Sequence, residues 1–577
     1  MRFVRCLIGI NLLSCAASFT IPPFPQQILG NPKAGKEKCP LPPKVTLDDD
    51  NLFPSLRYPQ DETVLQRQVS RLSKAVQIPT AVTDSMKDPH DESFAPFVEF
   101  HQLLAELFPQ IHSKSKVERI NRLGLVITLD PPSGTRNQPK KPLLFTAHQD
   151  VVPIDDASDW THPPFSGYFD GEFVWGRGSS DCKNGLIGLL SVVEDLLNQD
   201  WTPSRPVVLA FGFDEEAHGY LGAGKIAPLL EERYGKDGVE FILDEGGMGL
   251  STLRSSSASA LHDEEDNVIY ALPDVGEKGA LDIILSLSVP GGHSSVPPKH
   301  TGIGIMSEII YNLENTELDI FTPSLGPDHP TRRMLECQVH HSPQYVETWL
   351  ASALDSDDYA ATAESVAQSR GDDRRFTLQS SQAADIFNGG VKSNALPEKV
   401  RTVVNYRVGL HQTPDMVQER AEKIIEPIIA KYNLTWSRFS DTGNVGADSG
   451  VGKGGHLTLS TSRPPLSPAP VSPTDIETSP VWARFAGVTR SVFESVPSLR
   501  GKTVVVSGDI MTGNTDTRFY WNLSRNIYRW SPAREGRALN IHTVDERIGI
   551  DAHLEAMMLY YDLIRAFDQW DGGVDQI

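Results

Sequence analysis

The sequence lacks the hallmarks of several large protein classes. Its 53 Lys and Arg residues are outnumbered by 75 Asp and Glu, for a net charge of −22, and no basic stripe with interleaved aromatic residues is present. A surface that binds nucleic acid through its phosphates is therefore excluded. No internal run reaches the roughly 18 apolar residues of a membrane span, which excludes a multi-pass membrane protein. No Gly-x-Ser-x-Gly pentapeptide lies at a predicted strand–helix turn, so a serine hydrolase with a nucleophile elbow is set aside.

Cysteine is also scarce, with five residues in 577. Cys6 and Cys15 lie in the first twenty residues, where Arg2 and Arg5 begin a mostly apolar segment that ends in small residues. This pattern predicts a secretory signal peptide over residues 1–19, with an uncleaved signal anchor or a buried helix as the alternatives.

Cleavage of that signal would leave three cysteines, Cys39, Cys182 and Cys337. At most one disulfide can then form, which excludes a disulfide scaffold. The sequons at Asn433 and Asn522 fit glycosylation on a secretory route. We expect a secreted or vacuolar-lumen protein, attached to a membrane only if its N-terminal segment is an uncleaved anchor.

Short apolar runs alternate with helical patterns in the first half of the chain. Strands are predicted at 124–129, 142–146, 207–213 and 240–243, and helices at 62–76, 93–108 and 186–198. This alternation predicts an α/β fold, with a mixed, mostly parallel sheet and helices on both faces.

The pattern changes near residue 275. Strands at 281–289 and 400–408 and helices at 301–313 and 416–432 predict a small inserted α+β domain of the ferredoxin-like kind. A helix at 481–496, a strand at 502–507 and a helix at 554–567 return the chain to the first domain. The predicted order is a flexible segment at 20–60, a main domain at 61–274 and 476–577, the inserted domain at 275–440, and a Gly-, Ser- and Pro-rich linker at 441–475.

Acidic residues and histidines cluster after the predicted strands. They are His148 and Asp150 after 142–146, Asp181 before the helix at 186–198, Asp214, Glu215 and Glu216 after 207–213, Asp244 and Glu245 after 240–243, and His542 near the C-terminus. Each segment alone is more often a surface pair, a helix N-cap or a solvated strand end than a metal ligand. Together they give two histidines and at least four carboxylates, mostly at strand ends, where ligand sites of open α/β sheets collect.

This set of side chains suits a hydrolytic site with two metal ions. A neutral imidazole is a good zinc ligand, and a carboxylate can bridge two ions through its two oxygens. Two adjacent glutamates can divide the work, one as a metal ligand and one as a general base. The absence of cysteine ligands argues against a structural zinc finger.

The ordered motifs resemble those of the M20 family of metallopeptidases. They are His148-x-Asp150, Asp181-x-Lys183, Asp214-Glu215-Glu216, Asp244-Glu245-Gly246 and His542. The similarity extends from about residue 60 to the C-terminus and is strongest to the branch of carboxypeptidase S and the N-fatty-acyl-amino-acid synthase/hydrolases.

The resemblance implies a zinc-peptidase-like catalytic domain that binds two zinc ions per chain. The implied ligands are His148, Asp181, Glu216, one acid of the 244–245 pair, and His542, with Asp181 bridging the ions. It also implies that Glu215 is the general base and that Asp150 orients His148. The choice between Asp244 and Glu245 stays open, because strand alternation places them on opposite faces.

For the inserted domain, the resemblance implies a lid over the site. His293 would stabilise the transition state, Asn394 would contact the substrate, and Arg518 would lie near the substrate carboxylate. The alternatives are an ordinary loop histidine, a plain turn, and an ion pair between Arg518 and Asp516. Dimeric relatives make a homodimer possible.

The implied activity is a zinc-dependent metallocarboxypeptidase that hydrolyses the amide bond next to a free carboxylate. The same chemistry on N-acyl amino acids, in the hydrolytic or the synthetic direction, is the alternative. A non-catalytic secreted binding protein on a peptidase scaffold is a third interpretation, and an acidic cell-surface interaction protein is a fourth.

Overall fold

The computed structural model describes residues 39–132, 140–247, 249–254, 265–316, 319–441 and 454–572. The signal peptide predicted at 1–19 lies outside the described residues. Among the described residues, no helix combines the length and the apolar character needed to cross a membrane.

Helices and strands alternate through most of this chain. The helices are α1 (Arg57–Gln60), α2 (Glu62–Val76), α3 (Ala95–Leu107), α4 (Pro109–Lys114), α5 (Lys183–Asn198), α6 (Ala223–Tyr234), α7 (Gly302–Asn315), α8 (Pro330–His341), α9 (Leu350–Leu354), α10 (Tyr359–Arg370), α11 (Asp372–Leu378), α12 (Pro414–Tyr432), α13 (Pro480–Ser495) and α14 (Ile550–Gln569). The strands of the first half are β1 (Lys116–Ile120), β2 (Gly124–Leu129), β3 (Leu143–His148), β4 (Tyr168–Phe169), β5 (Phe173–Trp175), β6 (Val207–Gly212), β7 (Phe241–Asp244), β8 (Leu250–Arg254), β9 (Glu265–Ala271), β10 (Asp274–Glu277) and β11 (Gly279–Ser288). Those of the second half are β12 (Gly292–His293), β13 (Ser381–Gly389), β14 (Ala395–Leu396), β15 (Lys399–Val408), β16 (Thr435–Ser437), β17 (His456–Thr461), β18 (Thr503–Val506), β19 (Asp509–Met511), β20 (Ile527–Arg529), β21 (Ala538–Leu539) and β22 (Arg547–Gly549).

The largest sheet has eight strands in the order β1-β2-β6-β3-β7-β20-β10-β19. The pairs β6–β3, β3–β7, β7–β20 and β10–β19 are parallel, and the other three pairs are antiparallel. Every residue of β3 and β6 is buried, because helices cover both faces of the sheet. Strands covered on both sides read as continuous apolar runs. The predicted fold class, a mostly parallel mixed sheet with helices on both faces, is confirmed.

A second sheet has five strands in the order β13-β15-β11-β17-β16. Along the chain its elements follow as β11, α7, β13, β15, α12 and β17, which is the ferredoxin-like succession of strands and helices. Alternate residues of β11 and β15 are buried and share one apolar core with α7 and α12. One face of this sheet therefore packs on helices, and the other is more polar.

The described part of the segment 441–475 differs from the predicted linker. Residues 456–461 form β17, which pairs with β11 in the second sheet. Leu457 and Leu459 alternate with less buried residues and enter the core of that sheet. A two-residue apolar alternation inside a Gly- and Ser-rich stretch is a strand signal that is easily missed.

The described part of the N-terminal segment also differs from the flexible segment expected at 20–60. From residue 39 onward, a disulfide joins Cys39 to Cys337 and an ion pair of 2.6 Å joins Asp50 to Arg565. The Val45 amide donates to the Gly487 carbonyl. These contacts hold the segment in place, although its sequence has no periodic apolar pattern that predicts a helix or a strand.

We expect removal of this disulfide to destabilise the protein. Changing both Cys39 and Cys337 to Ser should lower the free energy of unfolding by about 2–4 kcal/mol, because the bridge closes a very long loop in the unfolded chain. Denaturant unfolding of both proteins measures the difference. A reductant should bring the wild type to the level of the double variant and leave the variant unchanged. Equal stability of the variant and the oxidised wild type would contradict the bridge.

Candidate metal centre

The candidate site forms where three neighbouring parallel strands end. β3 lies between β6 and β7, and His148 at the end of β3 stands opposite Gly212 at the end of β6. The turn with Glu215 follows β6, and β7 ends at Asp244. The carboxyl ends of parallel strands share one edge of a sheet, so the local sequence brings these acids to the imidazole.

The first cluster surrounds His148, whose side chain is 1% exposed. Its Nε2 lies 3.0 Å from Oδ1 of Asp181 and 3.0 Å from Oε1 of Glu245. Cys182 also lies in this cluster. Burial raises the pKa of its thiol well above the usual value.

The second cluster surrounds His542, in the loop between β21 and β22. Its Nε2 lies 3.1 Å from Oδ2 of Asp181 and 3.0 Å from Oε1 of Glu216. Within each cluster the potential ligand atoms lie within 4.8 Å of one another. Asp181 belongs to both clusters and offers a different oxygen to each.

The alternative between Asp244 and Glu245 is decided by direction. Glu245 points its carboxylate at His148, whereas Oδ1 of Asp244 accepts the Glu245 amide at 3.0 Å. Asp244 is buried and belongs to neither cluster. Of the two acids that the sequence leaves open, Glu245 is therefore the one placed among the candidate ligands.

Asp150 contacts one residue of each of the two clusters. Its carboxylate lies 3.4 Å from Nδ1 of His148, and its backbone carbonyl lies 2.9 Å from the same nitrogen. Its other carboxylate oxygen accepts the Glu216 amide at 3.0 Å. Asp150 thus holds the His148 imidazole through its backbone carbonyl and the backbone of Glu216 through its carboxylate.

Several buried carboxyl groups here are costly to ionise together. Burial, and then repulsion from Asp516, Glu245 and Glu216, raises the pKa of Glu215 well above its usual value despite the opposing effect of His148. Burial raises the pKa of Glu245 to about 8. Such a group of acids is stabilised by cations.

The donor set fits zinc, which binds histidine nitrogens and carboxylate oxygens. Hydrogen bonds to Asp181 and Glu216 raise the pKa of His542 to about 10. Although burial opposes it, hydrogen bonds from His148 and His542 hold the pKa of Asp181 well below its usual range. The Nε2 atoms of His148 and His542 both face carboxylate oxygens, and metal binding by these groups would release any proton the imidazoles carry.

His293 and Asn394 lie together and belong to neither cluster. His293 in β12 pairs with Ala395 in β14, and Ser294 donates its amide to the Asn394 carbonyl. The His293 side chain is exposed and accepts from Ser295 at 2.7 Å. The structure brings the two predicted substrate residues to each other, and among the described residues neither of them belongs to the two clusters.

Arg518 does not pair with Asp516, the alternative left open by the sequence. Its guanidinium donates to the His218 carbonyl and packs on the rings of Tyr220 and Phe519. Asp516 is buried beneath the turn, close to Gly212 and Gly219.

Four further residues of the site were not assigned from the sequence. Asp214 accepts the Leu221 and Gly222 amides at 2.8 and 2.7 Å and so holds the turn that carries Glu215. Asp516 adds a buried carboxyl group, and Glu546 binds the loop of Asp181. Arg463 contacts His218 and pairs with Asp282 at 2.9 Å. Their importance depends on long-range contacts, for which the sequence carries no local signal.

A family model confirms the relationship suggested by the site. The model of peptidase family M20/M25/M40 matches residues 144–566. The chain belongs to this family. It is 37% identical over 529 residues to carboxypeptidase S of Saccharomyces cerevisiae, with 89% of this chain and 87% of that protein covered.

Two other relatives extend the comparison. An N-fatty-acyl-amino acid synthase/hydrolase of Danio rerio is 30% identical, with 98% of this chain and 96% of that protein covered. The crystal structure of an M20 family metallo-carboxypeptidase of Sulfolobus solfataricus superposes with a TM-score of 0.56 at 16% identity, covering 87% of this chain and 99% of that one. At that identity the structural likeness supports the fold alone. As an M20 family member, this chain is a metal-dependent hydrolase related to carboxypeptidases.

Proposed function

We propose that the protein is a two-zinc metallocarboxypeptidase that hydrolyses the C-terminal amide bond next to a free carboxylate. The observation that carries the proposal is Asp181, whose two oxygens face two separate groups of histidine and acid. One zinc ion would be held by His148, Asp181 and Glu245, and the other by Asp181, Glu216 and His542. The similarity to carboxypeptidase S supports this activity.

Bound zinc would polarise the scissile carbonyl and make a water molecule more acidic. Glu215 stands next to the ligand Glu216 and is itself outside both clusters, which suits a general base. Its carboxylate takes a proton from the attacking water as the new C–O bond forms. The same proton then passes to the leaving amine as the C–N bond breaks. Asp150 keeps His148 in the orientation and tautomer that ligation needs.

Three arginines supply positive charge beside the site. Arg518 and Arg463 both contact His218, and Arg407 donates to Asn514 at 2.8 Å. Burial and then the Arg463 guanidinium lower the pKa of Arg407. A substrate carboxylate would neutralise this charge, and guanidinium groups bind carboxylates in a well-defined geometry.

Arg518→Lys should therefore raise KM for a substrate with a free C-terminus by about 10- to 100-fold, the value of a charge-assisted hydrogen bond. Steady-state kinetics on an N-blocked dipeptide measures it. Arg525→Lys, at an exposed position near the same loop, is the control and should leave KM unchanged. An unchanged KM in Arg518→Lys would assign carboxylate binding to other residues.

The second sheet, with β12 and β14, is proposed as the lid, and its closure would bring His293 and Asn394 to the substrate. A homodimer in which a partner supplies these residues is a related proposal. The edge strand β13 supports it, since Ile386 and Phe387 are 43% and 45% exposed there. An unpaired strand edge of this kind is a common place for a second chain to add.

A secretory location is proposed from two observations. The disulfide between Cys39 and Cys337 suits an oxidising compartment. Asn433 and Asn522 are both exposed, as glycosylation requires. Either the extracellular space or a vacuolar lumen agrees with these features.

Hydrolysis or synthesis of N-acyl amino acids is the second candidate function. The relative in Danio rerio that carries this name covers nearly the whole chain. All proposed zinc ligands and Glu215 would serve this reaction unchanged, since the bond is again an amide next to a carboxylate.

One experiment separates these functions. Purified protein is analysed for bound metal and assayed with an N-blocked dipeptide, the same dipeptide with an amidated C-terminus, and a long-chain N-acyl amino acid. We expect zinc in the protein, cleavage of the free-acid dipeptide and little cleavage of the amide. Turnover of the N-acyl amino acid alone would move the function to the second candidate. A protein without metal or turnover would support a non-catalytic binding protein.

A further inference from the structure

Glu546 is a fully buried carboxylate that binds the loop carrying Asp181. Its Oε2 accepts Nη1 of Arg177 at 2.6 Å and the Gly178 amide at 2.9 Å. Its Oε1 accepts the amides of Ser180 at 2.9 Å and Asp181 at 3.1 Å. Four donors from one short loop converge on one side chain, which is 0% exposed.

Glu546 also lies four residues after His542 in the sequence. The Glu546 carbonyl accepts the Gly176 amide at 2.8 Å, which fastens the two loops by their backbones as well. On the outer side, Asp545 accepts the amide and the hydroxyl of Thr161 at 2.8 and 2.7 Å. Hydrogen bonds at two residues, Asp545 and Glu546, therefore hold the loop just after His542.

The His542 loop needs such ties because its backbone conformation is unfavourable. Asn540, His542 and Asp545 have φ values of 60°, 60° and 62°. Asn, Asp and His adopt this left-handed region more readily than other non-glycine residues, but it still costs free energy that surrounding contacts offset. The His542 side chain is also 50% exposed, so core packing does not hold it.

We propose that Glu546 is a positioning residue that locks the Asp181 loop to the His542 loop, so that the shared carboxylate and the second imidazole are placed together for metal binding. The inference rests on the proposed two-metal function. Asp181 and His542 come from distant parts of the chain, and their 3.1 Å approach spans the junction that Glu546 closes. Partners that orient ligands in this way control metal affinity.

The competing explanation is that Glu546 contributes only stability, as any buried carboxylate with good hydrogen bonds does. Glu194 provides the matched control. It is also buried, and its two oxygens accept the Gln110 and Ile111 amides, each at 3.0 Å, at the start of α4. It belongs to neither cluster. A Glu→Gln change at either position replaces one carboxylate oxygen, which accepts hydrogen bonds, with an NH2 group, which donates them. That NH2 group would face backbone N–H donors.

The experiment compares wild type, Glu546→Gln and Glu194→Gln as full-length chains. Zinc binding to the stripped proteins is measured by equilibrium dialysis over a range of free zinc, and thermal unfolding of the zinc-free proteins is recorded. We expect Glu546→Gln to lose zinc affinity by about 10- to 100-fold, while Glu194→Gln binds like wild type. At saturating zinc, kcat of Glu546→Gln should fall while KM stays within about twofold of wild type, because the substrate contacts are untouched.

Two outcomes overturn the inference. Glu546→Gln could bind zinc as tightly as wild type, or both variants could lose zinc equally in step with their stability. If Glu546→Gln does not fold, Glu546→Asp carries the test, since it keeps the charge but cannot reach both pairs of donors; wild-type zinc affinity there also overturns it. A wild type that binds no zinc refutes the proposed function itself, and is thereby distinguished from a failure of the role of Glu546.

Discussion

Glu215→Gln is expected to lower kcat by about 10²- to 10⁴-fold, the usual contribution of a general base. The amide cannot accept the proton of the attacking water, yet it fills the same space and removes no proposed zinc ligand. Zinc content should therefore stay at the wild-type level. Turnover of an N-blocked dipeptide, together with metal analysis of the same sample, measures both quantities.

The matched control is Glu555→Gln. Glu555 is also buried, and burial raises the pKa of its carboxyl to about 7, but it pairs with Arg534 at 2.9 Å and belongs to neither cluster. This variant should lose stability and keep kcat. Retention of activity in Glu215→Gln would remove Glu215 from the proton-transfer role.

Asp181→Asn should have the broadest effect, because one cluster loses its Asp181 oxygen and the other keeps only a neutral amide oxygen, which is a weaker ligand. We expect the affinity for zinc to fall by at least about 100-fold, since even the partners that only orient ligands are worth 10- to 100-fold. Activity at ordinary zinc concentrations should be lost. Equilibrium dialysis and activity at increasing free zinc measure the two effects.

Asp195→Asn is the control for Asp181→Asn. Asp195 is a buried aspartate on α5 that pairs with Arg67 at 2.9 Å and is not part of either cluster. It should bind zinc like wild type. If Asp181→Asn also bound two zinc ions with unchanged affinity, the bridging role would be wrong.

The sequence predicts most of the α/β fold because its elements carry local signals. α2 and β2 have the predicted bounds, Glu62–Val76 and Gly124–Leu129, since periodic apolar residues end there in polar ones. By contrast, α10 contains many small residues and has no broad apolar stripe, so its helical state depends on packing against α9 and α11. β17 was missed for a similar reason, because only two leucines mark it.

Most residues of the candidate site can be predicted from the sequence, because they lie at the ends of strands that meet at one edge of the sheet. The choice between Glu245 and Asp244 cannot be predicted from the sequence, because it depends on the direction of one side chain after the strand ends. Glu546 was not assigned because its four donors lie about 370 positions earlier in the chain. Contacts between residues so far apart in the sequence depend on the tertiary fold, and no local sequence pattern predicts them.

The measurement that tests the central claim most directly is diffraction from zinc-loaded crystals at the zinc absorption edge. The account predicts two anomalous peaks on opposite sides of the Asp181 carboxylate, separated by about 3.5–4 Å as in other two-metal sites. One peak should lie against His148 and Glu245, and the other against Glu216 and His542. A single peak, or a pair of peaks that does not include Asp181 between them, would contradict the proposed two-metal centre.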